Sequence, residues 1–268
     1  MPHVVDAIVV MNAEIAADHY RLVLKAPEIA ADAKPGQFCM VQVQEGYYPF
    51  LRRPMCFERL YPDSFSIVYR VAGEGTRVMS RFQPGQAVNV QGPLGNAFPL
   101  PSGYQRYFLV GGGVGIAPFP ALAEALVREL RVVPEVIVAA RSARFLTCVE
   151  QFKEMGCRIH TATDDGSMGF HGFASDLLAT FDLTPEDVVY CCGPTPMMQA
   201  VHRVCARSRT LCYASLEAEM ACGDGVCLGC VVEAKVEVEF ERMLRVCCDG
   251  PTFDTRLLQW DPAAEEVS

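Results

Sequence analysis

Three cysteines fall within nine residues of one another, as Cys222-x4-Cys227-x2-Cys230, and two more, Cys247 and Cys248, follow after sixteen intervening residues. Four thiolates drawn from one tight loop and one distant strand can enclose a [2Fe–2S] cluster, and C-x4-C-x2-C…C is the plant-type spacing for that group. Gly223, Gly225 and Gly229 let the backbone turn around it without Cβ clashes. A single structural zinc held by four cysteines is the competing reading. Zinc sites draw on two close Cys pairs rather than three cysteines in one loop, so the spacing favours the cluster. Only one of Cys247 and Cys248 is needed, and spacing does not choose between them. Neighbouring residues on a strand point to opposite faces, so one of the two is expected to aim at the loop.

A second site is signalled by Val110-Gly111-Gly112-Gly113-Val114-Gly115-Ile116-Ala117-Pro118, at the junction of an apolar strand and a helix. A glycine-rich turn there lets a dinucleotide pyrophosphate approach the backbone and the positive end of the helix. Such turns also serve packing alone, and this one departs from G-x-G-x-x-G. The departure points away from ordinary Rossmann dehydrogenases, toward flavin reductases built from a barrel and a nucleotide-binding domain. Arg52-Arg53-Pro54-Met55-Cys56, Tyr69-Arg70-Val71 and Gly73-Glu74-Gly75-Thr76 would together supply donors for a flavin pyrophosphate. Taken singly, they are a solvated arginine face and an ordinary helix cap. Asp164-Asp165 reads as turn chemistry rather than a catalytic dyad. Arg141-Ser142 leaves NAD and NADP both open, since the pair could meet a 2′-phosphate or simply begin a helix.

The elements that must hold these residues follow from the pattern of apolar runs and breakers. Val4–Met11, Tyr20–Lys25, Gln37–Val43, Pro54–Leu60, Phe65–Val71 and Ala87–Gln91 read as short strands punctuated by Pro-Gly, Pro-Asp and Gly-Pro turns, which implies a small antiparallel barrel. After Pro101-Ser102-Gly103, the apolar strands Arg106–Val110, Pro134–Ala140, Cys157–Ala162 and Val188–Cys192 alternate with helical stretches, as in a parallel sheet with helices on its faces. A third segment begins near Glu217, and its alternating run from Val231 to Phe240 reads as one arm of a hairpin carrying the metal site. The expected division is therefore 1–101, 102–216 and 217–268 in a chain of 268 residues, long enough for more than one core.

Composition excludes several other roles. A formal net charge of −9 argues against nucleic acid, which needs excess Lys and Arg to displace counterions. The longest apolar stretch, from Phe108 to about Leu122, is broken by glycines and prolines and runs into Glu124, so no membrane anchor is visible. The N-terminus lacks the charged start and apolar run of a secretory signal, which points to the cytoplasm. Thirteen cysteines there are thiols or metal ligands rather than disulfides. Cys39, Cys148, Cys157, Cys191, Cys205 and Cys212 sit singly in apolar segments and read as small buried hydrophobes.

Together these segments resemble the ferredoxin-reductase-like superfamily, and more narrowly the electron-transfer subunits of NAD-linked dihydroorotate dehydrogenases. The resemblance runs through Arg53 to Cys56, Gly73 to Thr76, Gly92-Pro93-Leu94-Gly95-Asn96, Gly111 to Pro118, Thr163 to Ser167, Cys192 to Met197, Ser215 to Cys230 and Cys247 to Phe253. It implies an FAD-binding barrel, an NAD-binding parallel-sheet domain and a [2Fe–2S] module facing an FMN-bearing catalytic subunit, in a heterotetramer with two copies of each chain. Arg53, Pro54, Met55, Val68, Tyr69, Arg70, Gly75 and Thr76 fall on the FAD segments. Gly111, Gly112, Gly113, Gly115, Gly193 and Pro194 fall on the nucleotide segments. Cys56 occupies a position, usually serine, near the reactive flavin edge, and Cys192 matches a cysteine close to where nicotinamide meets flavin; these two are the expected catalytic residues. A thiol donates more weakly than a hydroxyl, so Cys56 is a departure. The pattern Val-Cys-x-Asp-Gly-Pro selects Cys247 to complete the metal ligands with Cys222, Cys227 and Cys230.

The small subunit of NADH-dependent ferredoxin:NADP oxidoreductases shares the Asp-Gly-Pro-x-Phe ending but has an aspartate where this chain has Cys222. A sulfide-handling complex is another sibling reading. A zinc-stabilised binding subunit without redox function is the alternative of a different class.

Overall fold

The computed structural model describes residues 2–235 and 243–260. The first sheet uses β1 (His3–Ala16), β2 (His19–Lys25), β3 (Phe38–Val41), β4 (Arg53–Cys56), β5 (Arg59–Leu60), β6 (Ser64–Arg70) and β7 (Ala87–Leu94), with α1 (Pro27–Asp32) and α2 (Glu74–Met79) in its connections. All its pairings are antiparallel, in the order β4-β3-β7-β1-β2-β6-β5. The two edges, β4 and β5, are joined through Phe57 and Glu58 alone, so the sheet curls until its edges meet at that corner. The single strand expected over Pro54–Leu60 is thus two. Fully buried Phe57 turns into the barrel, where it packs edge-on against Phe65 at 4.9 Å.

The second sheet has β8 (Arg106–Gly112), β9 (Glu135–Ala140), β10 (Arg158–Thr163), β11 (Phe170–His171), β12 (Asp187–Cys192) and β13 (Leu211–Ser215), all parallel. Helices α3 (Phe119–Ala125), α4 (Val149–Glu154), α5 (Ala174–Ala179) and α6 (Thr195–Ser208) form the crossovers. β9 and β12 are buried at every residue, as strands covered on both faces must be.

The Cys-rich segment adds a two-stranded ribbon, β14 (Val231–Glu233) with β15 (Met243–Arg245), and then β16 (Thr252–Asp254). Residues 236–240 of the expected alternating run lie outside the described residues. β16 pairs antiparallel with β13 and closes the edge of the parallel sheet, so the chain beyond the cysteines returns to the second sheet. Cys230, Val246 and Cys247 share one buried cluster with Phe108, Ile137 and Val189 of that sheet and with Phe38, Met40 and Leu94 of the barrel. Of the six single cysteines, Cys157 is partly exposed and the other five are buried.

A buried ion pair ties barrel to parallel sheet. Arg21 on β2 donates from Nε and Nη2 to the fully buried Glu58 carboxylate, at 2.9 and 2.7 Å, and the Cys148 thiol before α4 reaches the same carboxylate at 3.7 Å. Burial by itself would lower the Arg21 pKa, but Glu58 outweighs it and the net shift is upward. Replacing one partner strands the other charge in a dry site, so Glu58→Gln should cost about 3 kcal/mol in reversible urea unfolding. A loss below about 0.5 kcal/mol would mean that water reaches Arg21 and the pair is a surface one.

Candidate functional site

β8 and β12 are neighbours in the parallel sheet, yet the chain leaves β8 toward β9 and β12 toward β13. Such a switch point opens a crevice beyond the carboxyl ends of the strands, where open α/β sheets bind ligands. Cys192 stands opposite Gly111 in register, which sets Gly112–Gly115 against Gly193 and Pro194. A cavity of about 610 Å³ lies there, lined by those residues together with Arg141, Asp164, Phe173 and Met197. Gly113, at φ +58°, has nothing within 4 Å of where a side chain would stand. A Cβ at Gly115 would lie 2.5 Å from the Cys192 carbonyl oxygen, so this glycine is what allows the two loops to close together. Gly111 is off the cavity wall: its Cα packs against Ile116.

The loops around the cavity are pinned as the sequence suggested for Asp165. Its carboxylate accepts from the Ser167 backbone N–H at 3.0 Å and from the Ser167 hydroxyl at 2.5 Å, while Ser167 Oγ accepts from the Ala143 N–H at 2.8 Å. Ser142 therefore does not cap the short turn that follows it. Two titratable residues to which no sequence pattern assigned a role also line the cavity. His19 is 2% exposed; its Nδ1 can only donate to the Ala17 carbonyl at 2.7 Å, and its Nε2 has no protein partner. Its register partner across β2 and β6 is Arg70, whose exposed side chain lines the same cavity. The other is Glu217, discussed below.

At the barrel edge, the Arg53 guanidinium lies over Gly75, where any Cβ would come within 2.4 Å of Nε. Thr76 Oγ1 accepts from the Ala72 and Gly73 N–H groups at 2.9 and 3.2 Å and fixes the start of α2 beneath it. Arg53 also donates to the Leu51 carbonyl. Tyr69 and Val68 are committed elsewhere. Tyr69 is buried in the barrel core, stacked on Tyr20 and donating to Asn12 Oδ1 at 3.1 Å, and Val68 packs toward the second sheet with Ile116 and Phe119. At both positions only the main chain remains for a ligand.

Cys56, on β4 beside Pro54 and Met55, packs against the buried cluster that contains Cys192, at the end of β12. Burial, with the Glu217 charge in support, pushes the Cys56 thiol up to about 12 and the Cys192 thiol well above its ordinary value. Glu217 is exposed at the cavity rim, yet the protein around its carboxyl removes enough hydration to raise its pKa. Two neutral thiols and a carboxyl of raised pKa thus meet where barrel and cavity join. Glu217 lies inside the Ser215–Cys230 segment but received no role from the sequence, because a lone carboxylate carries no spacing signal.

The cysteine loop supplies two thiol pairs rather than one closed set. Cys222 and Cys227 sulfurs are 3.3 Å apart, and Cys230 pairs with Cys247, whose N–H donates to Cys230 Sγ at 3.4 Å. Two pairs suit a two-iron cluster, in which each iron takes two thiolates, better than one tetrahedral zinc. Asn96, in the Gly92–Asn96 segment after the barrel's last strand, donates from Nδ2 to the Cys248 and Asp249 carbonyls at 3.0 Å each and so docks the loop. The thiolate form of Cys227 is favoured by backbone N–H groups near Cys222 and at Gly229, which lower its pKa to about 7. In metal-free protein Cys227 should alkylate with iodoacetamide at half its maximal rate near pH 7, slowing as pH falls, while Cys56 and Cys192 stay unlabelled over that range. Peptide mapping that found Cys56 labelled first would refute this order.

With this geometry in view, likeness to known proteins is informative. Residues 217–259 match the iron-sulfur cluster binding domain of dihydroorotate dehydrogenase B, and residues 109–203 match the oxidoreductase NAD-binding domain. The dihydroorotate dehydrogenase B (NAD(+)) electron transfer subunit of Desulforamulus reducens is 34% identical over 264 residues, 97% of this chain and all of that one. The subunit of the same name from Bacillus cereus (strain B4264) is 36% identical over 253 residues, 92% of this chain and 95% of that one. Among solved structures, an NADH-dependent reduced ferredoxin-NADP oxidoreductase superposes with a TM-score of 0.84 at 28% identity, over 96% of this chain and 91% of that one. A cytochrome P450 reductase of Amycolatopsis shares the fold, with a TM-score of 0.66 at 24% identity over 78% of this chain and 67% of that one. On sequence, fold and thiol arrangement alike, the chain belongs to the family of dihydroorotate dehydrogenase B (NAD(+)) electron transfer subunits.

Proposed function

We propose that this chain takes electrons from an FMN-bearing dihydroorotate dehydrogenase catalytic subunit and delivers them, by way of a [2Fe–2S] cluster and FAD, to NAD+ in pyrimidine biosynthesis. One observation carries the reading: the three candidate sites stand in series. Gly223 of the cysteine loop packs on Met40 of β3, and Met40 is the register partner of Pro54 on β4. β4 ends at Cys56, which packs against the cluster holding Cys192, and Gly193 and Pro194 after Cys192 line the cavity. When bound, a flavin exchanges the hydride of a nicotinamide for the single electrons that a cluster carries.

In this assignment the barrel (1–101) holds FAD, residues 102–216 hold NAD, and 217–268 hold the cluster. Arg53 and the Gly73–Thr76 turn would hold the flavin pyrophosphate as hydrogen-bond donors. Gly112, Gly113, Gly115, Gly193 and Pro194 would admit the dinucleotide backbone. Cys56 and Cys192 remain neutral thiols and pack or donate weakly at the ring edges, while Glu217 can hold a proton at the rim. Cys222 with Cys227 would bind one iron and Cys230 with Cys247 the other. Cys227 is exposed, and Val226 and Leu228 beside it are 80% and 60% exposed, an apolar rim suited to a protein partner. No helix among the described residues is long and apolar enough to cross a membrane, and a cytoplasmic location, which would keep the thiols reduced, fits that observation.

The sibling reading, a subunit of an NADH-dependent ferredoxin:NADP oxidoreductase, is favoured by the structural likeness to that enzyme. Cys222, in place of its aspartate, argues for the dihydroorotate enzyme. Anaerobically purified protein should contain one FAD and two irons, and co-expression with the catalytic subunit should give a mixed oligomer on size exclusion. One zinc with no flavin, or a monomer indifferent to that partner, would overturn the proposal. His19→Phe removes the cavity's buried acceptor and should weaken NADH binding about tenfold, with His19→Gln retaining part of the affinity; unchanged titrations of the Phe variant would take His19 out of the nucleotide site.

A further inference from the structure

Cys247 and Cys248 are not on a strand, contrary to the expectation that their side chains would point to opposite faces. β15 ends at Arg245, and the Arg245 carbonyl accepts from the N–H groups of Cys248, Asp249 and Gly250 at 3.3, 2.8 and 3.3 Å. Asp249 in turn accepts from the Arg245 N–H at 2.8 Å and from its guanidinium at 3.0 Å, so the chain here makes one helix-like turn locked at both ends. Successive side chains in such a turn diverge by roughly 100° rather than 180°. Both thiols therefore reach the cysteine loop.

The contacts bear this out. Cys247 donates its N–H to Cys230 Sγ at 3.4 Å. Cys248 Sγ lies against Gly225 of the same loop, where an added Cβ would be 2.7 Å away. Gly225 has φ +87°, so it is glycine for the turn of the loop and for the sulfur beside it. The remaining partner of Cys248 is the Asp249 carboxylate at 3.7 Å. Cys247, whose N–H is joined to Cys230 Sγ, is the resident ligand.

Resting on the cluster assignment above, we infer that Cys248 is a reserve ligand, able to replace Cys247 on the iron it shares with Cys230. In the exchange the Cys248 sulfur would form the iron–sulfur bond that Cys247 gives up, and the proton lost by the Cys248 thiol would pass through solvent to the released Cys247 thiolate. Four thiolates are kept and no electron moves. The swap requires only rotation of a side chain already set against the cysteine loop at Gly225, whereas the other cysteines of the described residues belong to the resident set, pack in or against the core, or lie at the flavin edge.

The test uses the full chain co-expressed with its catalytic subunit and purified without oxygen. Cys247→Ala should keep two irons and acid-labile sulfide, with reduced-state EPR g-values displaced from the parent's; alanine ensures that the new ligand is not the introduced residue. Cys248→Ala should give the parental spectrum, and the double variant should lose its iron while keeping FAD, which reports that the rest of the chain is folded. An iron-free Cys247→Ala variant with full FAD overturns the inference. Should that variant lose FAD as well, Cys247→Ser compared with Cys247→Ser/Cys248→Ala decides it: equal iron in the two overturns the reserve role. Absence of iron from the wild type itself would instead defeat the cluster assignment.

Discussion

The structure depends on how the cysteine loop is seated on the barrel. Gly223 rests on the Met40 side chain and near Leu94, at a distance no larger residue would permit. Asn96 holds the turn that carries Cys247 through two carbonyls, and its own N–H donates to the Gly250 carbonyl at 2.7 Å. Cys247 and Val246 are buried in the same apolar cluster as Met40 and Leu94. A loop of thiols joined to the chain only at its ends would wander. Here burial and a set of directional hydrogen bonds fix it on β3, the strand next to β4 and its Arg53–Cys56 segment.

The same economy appears where barrel and parallel sheet meet. Phe98 and Val68 from the barrel side share a core with Ile116, Phe119 and Tyr190, so the crevice at the switch point is walled by packed side chains rather than by a hinge. That packing desolvates the groups at the junction. Cys56 and Cys192 are held as thiols and Glu217 is made a weaker acid by one common cause, removal of water, with the Glu217 charge adding to the shift of the two thiols. Replacing serine by cysteine at position 56 is tolerable in such a place, because a neutral thiol is at home in an apolar contact and makes little demand for a hydrogen-bond partner.

The buried pair of Arg21 and Glu58 shows the opposite solution. A carboxylate without water survives there because a guanidinium meets it in a two-pronged geometry, and the Cys148 thiol occupies a further lone pair. Glu58 also sits in the corner between β4 and β5 that shuts the barrel. The charge network, the closure of the barrel and the approach of the second sheet are thus one local arrangement.

What the amino-acid sequence determined was whatever depends on order and spacing along the chain. The barrel strands, the switch to alternating strands and helices, the glycine turn after β8 and the spacing of Cys222, Cys227 and Cys230 are local patterns, and each was legible. Tertiary structure alone decided the matters that rest on packing. It turned Tyr69 into the core, took Gly111 off the cavity wall, and brought His19 and Glu217 to a site that no spacing could announce. It also divided Pro54–Leu60 at a corner and replaced the expected strand at Cys247-Cys248 with a turn. The reason is the same in each case: apolar alternation reports that a side chain is buried, whereas what it is buried against is set by parts of the chain far away in sequence, such as Asn96 reaching across to Asp249.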